Sequence, residues 1–172
     1  AAVDRSPDLA GGPFWAGGMA AHANGSLYVT YGRWCHRLAP DCTVLASREL
    51  PRDRPYNSLV VLPDGHLVMK DFAGGSGVHA LTGDVRGSEL VVLEPDGLAV
   101  IDRLALDQGS IARLSAGVDD HGVPFVYVVG DRDTIRVTWD PAVAHLHLDA
   151  GDVTAYRTLD GQTFGWDPVL TD

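Results

Sequence analysis

The chain has few of the residues that mark a compartment or a chemistry. Only two cysteines occur in 172 residues, Cys35 and Cys42, too few for a disulfide scaffold. Their spacing is not that of structural zinc, which takes four ligands from two close pairs. They read as two partly buried thiols, or as one cross-hairpin disulfide in an oxidising compartment. No apolar run approaches the ~18 residues of a membrane span. The opening residues Ala1 to Pro7 lack a basic n-region and an apolar core, so no signal peptide is visible. A soluble chain with no membrane partner is expected, its compartment left open. The absence of an initiating Met points to processing or to a longer parent chain. Lys and Arg total 13 against 23 Asp and Glu, a net charge of −10. Such a surface repels phosphate backbones, so no nucleic-acid partner is expected. The acidity suits solubility and leaves room for cation binding. No segment of useful length holds a helical period. Nothing matches Gly-x-Ser-x-Gly, His-Glu-x-x-His or a dinucleotide fingerprint. The run Gly74-Gly75-Ser76-Gly77 lacks the Lys and Ser/Thr of a phosphate loop.

What the chain does have is short strands and turn signals. Leu27 to Tyr31, Trp34 to Leu38 and Thr43 to Leu50 have strand composition, after a Gly-interrupted candidate at Phe14 to Ala23. Asn24-Gly25 and Pro40-Asp41-Cys42 are their turns. A second set runs through Leu59 to Leu62, Leu67 to Met69, Glu89 to Leu93 and Leu98 to Ile101, with Pro63-Asp64-Gly65 and Pro95-Asp96-Gly97 between pairs. The continuous apolar run at Leu59 to Leu62 reads as a strand covered on both faces. Ile111 to Ala116, Phe125 to Val129, Thr134 to Trp139 and Val143 to Leu148 form a third set. Leu38, Leu93 and Leu148 recur at intervals of 55 residues, followed by Arg48, Arg103 and Arg157. In the third set the equivalent turn could instead be Asp140-Pro141, with Arg136 matching Arg37. A period of this size suits four-stranded propeller blades.

The expected fold is therefore all-β: four-stranded antiparallel blades of a β-propeller, an incomplete portion of about three. The blades fall at about 13–54, 55–107 and 108–160, with the start of a fourth at 161–172. A β-sandwich or barrel is the alternative. Propellers close with roughly four to eight blades, so the remaining half of the propeller or a second copy is the expected partner, beside a small-molecule ligand.

The stretch Asn57-Ser58-Leu59-Val60-Val61-Leu62-Pro63-Asp64-Gly65-His66-Leu67-Val68-Met69-Lys70-Asp71 resembles a blade of the six-bladed propellers that include gluconolactonase, regucalcin, paraoxonase and strictosidine synthase. The resemblance implies about half of such a propeller. It implies that Asn57, at the start of an inner strand, points into a central tunnel as a calcium ligand, with Asp167 as a second. It also implies a loop histidine as general base, for which His79 and His121 are the candidates. The chain departs from the pattern where Gly17 and Gly18 stand in the first blade, and Arg113 and Ser115 in the third. A calcium ion takes six to eight oxygens, and this chain offers one or two at the expected depth.

Each candidate also has a structural reading. Asn57 suits a turn or strand cap, and Asp167 before Pro168 suits a turn opener. His145 and His147 share one face of a strand, as a metal pair or as a solvated face. Asp119-Asp120 reads as a solvated turn, and the tryptophans as packing anchors. Two functions follow. One is a metal-dependent hydrolase of lactonase or esterase type, with calcium at the mouth of the tunnel. The other is a non-catalytic propeller scaffold that binds a protein or small ligand.

Overall fold

The computed structural model describes residues 16–73, 87–130 and 134–148. His79, Asp167, the glycine run and the fourth-blade strand lie outside the described residues. Twelve strands follow one another without a helix among the described residues, and so no helix there is long and apolar enough to cross a membrane. The first sheet is β1 (Ala16–Ala21), β2 (Leu27–Tyr31), β3 (Trp34–Leu38) and β4 (Val44–Glu49). The second is β5 (Tyr56–Val61), β6 (Leu67–Asp71), β7 (Glu89–Leu93) and β8 (Val100–Ala105). The third is β9 (Ser115–Val118), β10 (Pro124–Val129), β11 (Thr134–Asp140) and β12 (His145–Leu148). Every sheet is an antiparallel meander with its strands in chain order.

The turns are capped by short polar side chains. Asn24, Asp41, Asp64, Asp119 and Asp140 each accept a backbone N–H two residues on, at 2.9–3.1 Å. This local bond competes with strand pairing and fixes a turn. Gly25, Gly65 and Gly122, with φ of 81°, 93° and 79°, close the first hairpin of each sheet. Cys42, Leu98 and Ala144 take φ of 66°, 59° and 53° in the last hairpins. The left-handed residue thus recurs at a matching place in all three.

The middle sheet is covered on both faces. Leu67, Met69, Val91 and Leu93 pack with Tyr28, Cys35 and Leu50 of the first sheet. Val68, Leu90 and Val92 pack with Val126, Val128, Val137 and Trp139 of the third. That two-sided burial is why β6 and β7 are buried at every residue, whereas β8 alternates. β1 lies against β5, and β5 also touches β9, so the first strands of the three sheets neighbour one another. Sheets of consecutive strands stacked face to face, with first strands adjoining, are propeller blades. The described chain is three of them, not a two-sheet sandwich or a closed barrel.

Several expectations change. β12 begins at His145, not Val143, and β5 runs Tyr56–Val61 rather than Leu59 to Leu62. β8 begins at Val100, not Leu98, because Leu98 is fully buried in the turn with φ 59°. β9 begins at Ser115 rather than Ile111, since residues 111–114 form the entry to the blade and bury Ala112 and Leu114. Asp140-Pro141 is the turn after the third strand of the third blade, and Arg136 lies in that strand as Arg37 does in β3. Leu38 and Leu93 end third strands, but Leu148 ends a fourth, so its 55-residue interval is not a structural repeat.

Candidate functional site

β5 and β7 begin, and β6 ends, at the same edge of the middle blade. The connections 50–55 and 106–114 arrive there too. Asn57 stands on β5 at this edge, half-buried. Its Nδ2 donates to the Ile111 carbonyl at 2.7 Å, and its Oδ1 accepts from Lys70 Nζ at 3.0 Å. Lys70 is fully buried on β6, on the face turned to the third blade. Its ammonium also donates to the Ser110 carbonyl at 2.9 Å and the Asp71 carbonyl at 3.0 Å. Ser58 reinforces the junction, its Oγ accepting the Leu114 N–H at 2.7 Å.

One residue on, the side chain points to the opposite face. Asp71, fully buried, accepts from Arg52 Nη1 at 3.0 Å and is ion-paired with Arg54 Nε at 3.2 Å, both through Oδ2. Its Oδ1 accepts the Glu89 N–H at 2.6 Å. Glu89, also buried, pairs with Arg103 at 2.8 Å and Arg52 at 3.5 Å. Among the described residues Arg54 Nη2 has no hydrogen-bond partner although the side chain is buried. Burial pulls the Arg54 guanidinium below its ordinary pKa, and Asp71 opposes that. Burial likewise pushes the Tyr56 phenol up.

This edge was only partly visible in the sequence. Asn57 was a candidate; Lys70, Asp71, Glu89, Arg52 and Arg54 were not. The signal was there in Lys70-Asp71, two adjacent charges ending a strand whose neighbours are apolar.

The other candidates do not join it. His121 lies exposed in the β9–β10 turn, at the end of its blade away from residues 110–114. Asp119 in the same turn is held below the usual carboxylate range by the Val123 backbone N–H, then by Arg136 and the His121 N–H. His145 and His147 are exposed, with ring centroids 4.7 Å apart, and His145 Nδ1 lies 3.1 Å from Asp102 of the neighbouring blade. A pocket of about 380 Å³ lies beside the hairpin turns of the third blade, lined by Val123, Thr138, Trp139, Asp140 and His147 among others. Cys35 is buried and Cys42 partly so, and both are free thiols; burial pushes the Cys35 thiol up.

Calcium does not fit at Asn57. The three oxygens that converge there already face an ammonium, and a second cation among them would meet its full charge. Among the described residues no group of three or more His, Cys, Asp or Glu is placed to hold a metal.

No protein-family model matches the chain, and no curated protein matches it. Solved structures similar to it include an exo-β-1,3-galactanase from Clostridium thermocellum, 14% identical over 83% of this chain and 38% of that chain, with a TM-score of 0.45. A protein from Bifidobacterium bifidum s17, whose assignment as an exo-β-1,3-galactanase is provisional, is 13% identical over 79% of this chain and 53% of that one, with a TM-score of 0.43. A Bacteroides caccae protein of unknown function gives 13% identity over 81% of this chain and 62% of that one, with a TM-score of 0.33. The chain thus covers less than two thirds of each of these proteins. The propeller assignment rests on the three sheets themselves.

Proposed function

We propose that the chain is part of a β-propeller that binds a small polar ligand, without a metal, at the end where β5 and β9 begin. The observation that carries this reading is the 3.0 Å hydrogen bond from Lys70 to Asn57 Oδ1, which engages the oxygen a calcium ion would need. Fixed positive charge also favours an anionic ligand. Arg52 and Arg103 keep 19% and 49% of their side chains exposed while pairing with buried carboxylates, in a chain of net charge −10. A hydrolase of lactonase or esterase type needs a free base beside its electrophile. Of the buried carboxylates described at this end, Asp71 engages Arg52 and Arg54 through Oδ2 and the Glu89 N–H through Oδ1, and Glu89 is held in ion pairs with Arg103 and Arg52. Further blades, from the rest of the same propeller or from a second copy, complete the ring.

The test is tryptophan fluorescence titrated with citrate and glucuronate, and with glucose as the neutral control. Saturable binding of the anions is expected, unchanged by EDTA and about tenfold weaker in Arg52→Ala, as for one lost charge-assisted hydrogen bond. Turnover of a lactone or aryl ester that EDTA abolishes would instead establish the metallohydrolase.

A further inference from the structure

We infer that the Lys70 ammonium is the resident cation of the Asn57 site, a positioning group that locks the second blade to the third and keeps divalent ions out. The argument starts from valence. A lysine ammonium has three N–H groups and accepts nothing. Three oxygens converge on this one, from a carboxamide and two backbone carbonyls, at 2.9–3.0 Å. A buried ammonium stripped of water is costly unless its protons are all received, and here each has a receiver. The oxygens belong to three separate pieces of chain: Asn57 on β5, Asp71 at the end of β6, and Ser110 in the connection into β9. One group therefore ties the start of β5 to the connection that leads into β9.

The same three oxygens are of the kind that bind calcium. They are uncharged, however, and the ammonium already supplies the positive charge. The side chain that donates the cation also fills the space it would need. Exchange of Lys70 for a short carboxylate should reverse the selectivity. Lys70→Asp removes the ammonium, opens that volume and adds an anionic oxygen among the carbonyls. The inference holds whether or not a ligand binds at this end, since it concerns the protein alone.

The experiment compares wild type, Lys70→Met and Lys70→Asp in EDTA and in calcium. Wild type should show the same Tm in both, and no calcium heat by calorimetry. Lys70→Met keeps the length and bulk but not the charge. Its Tm should fall by about 5 °C or more, and calcium should not restore it. In heteronuclear NMR the wild-type Lys70 ammonium should give a slowly exchanging signal. The Asn57 side-chain amide should shift in Lys70→Met, which a loss confined to general packing would not single out. Lys70→Asp should gain stability in calcium that EDTA removes. Stoichiometric calcium binding by wild type overturns the inference. So does a Lys70→Met protein with unchanged Tm and an unmoved Asn57 amide. If Lys70→Asp stays unfolded even with calcium, the wild-type and Lys70→Met arms still decide the matter.

Discussion

Asp64 does two jobs with one carboxylate. Oδ1 accepts the His66 N–H and shapes the Pro-Asp-Gly turn, which the sequence announces. Oδ2 accepts the Trp139 indole N–H at 2.6 Å, across the blade interface and 75 residues away, which no local pattern could announce. His66 Nδ1 lies 2.9 Å from the same oxygen, and its ring tilts against Trp139 at 5.3 Å. Burial raises the Asp64 pKa, but the hydrogen bonds from Trp139 and His66 bring it below its ordinary value. A depressed carboxyl pKa contributes stability that is full above the unfolded value of ~3.9 and is lost as pH falls through the folded one. Asp64→Asn keeps a turn-capping oxygen but loses the charge. With the side chain a quarter exposed, the cost at pH 7 should be about 1 kcal/mol, or roughly 2–4 °C in Tm. The gap should narrow from pH 7 to strongly acid pH, as the pH falls through the lowered folded value. Equal gaps at both pH values in thermal melts would show that the charge is not what matters. The two thiols separate in the same way. Cys35 is buried with its pKa raised, and Cys42 is partly exposed in a turn. Iodoacetamide should label Cys42 in the native protein and Cys35 only after unfolding; prompt labelling of both would contradict the burial.

Strands bounded by strong turn residues were legible, and strands whose ends are set by another blade were not. The bounds of β2, β3 and β7 follow from β-branched and aromatic residues between turn signals. Leu98 reads as strand, yet it buries itself in a turn whose carbonyl accepts Arg48 Nε from the first blade at 3.0 Å. Apolarity marks burial, not extension. Gly17 and Gly18 make the reverse point. They looked like a missing acidic position, and they are instead what lets β1 approach β5. A Cβ at Gly17 would strike the Tyr56 carbonyl and Thr30 Oγ1; one at Gly18 would strike the Leu59 N–H and side chain. Because those obstacles are largely backbone, Gly18→Ala must push the blades apart and should cost about 1–3 kcal/mol, the range for overpacking. Gly25→Ala has open space and only its φ of 81° to resist it, a cost of about 1 kcal/mol. Urea unfolding of both variants checks the order, and a Gly18→Ala protein as stable as Gly25→Ala would mean that the first strands are not in contact.

Across the whole molecule, stability should be graded from the middle blade outward. Its two central strands are sealed on both faces by the neighbouring blades and carry the Lys70 and Asp71 networks at one end. Among the described strands β12 pairs with β11 alone and is exposed at three of its four residues, and β1 is likewise the end strand of its sheet. Amide exchange is governed by the free energy of opening, and that rises where covered apolar area and paired backbone are densest. Amides of β6 and β7 should therefore exchange last, at rates set by global unfolding, and those of β12 first. Lys70→Met should speed exchange in β5, in residues 110–114 and in β9 before it touches β2 or β3, since the ammonium's bonds to Asn57, Asp71 and Ser110 join the second and third blades. Uniform acceleration across all three blades would mean that they open as one unit, with no weaker seam at the Asn57 edge.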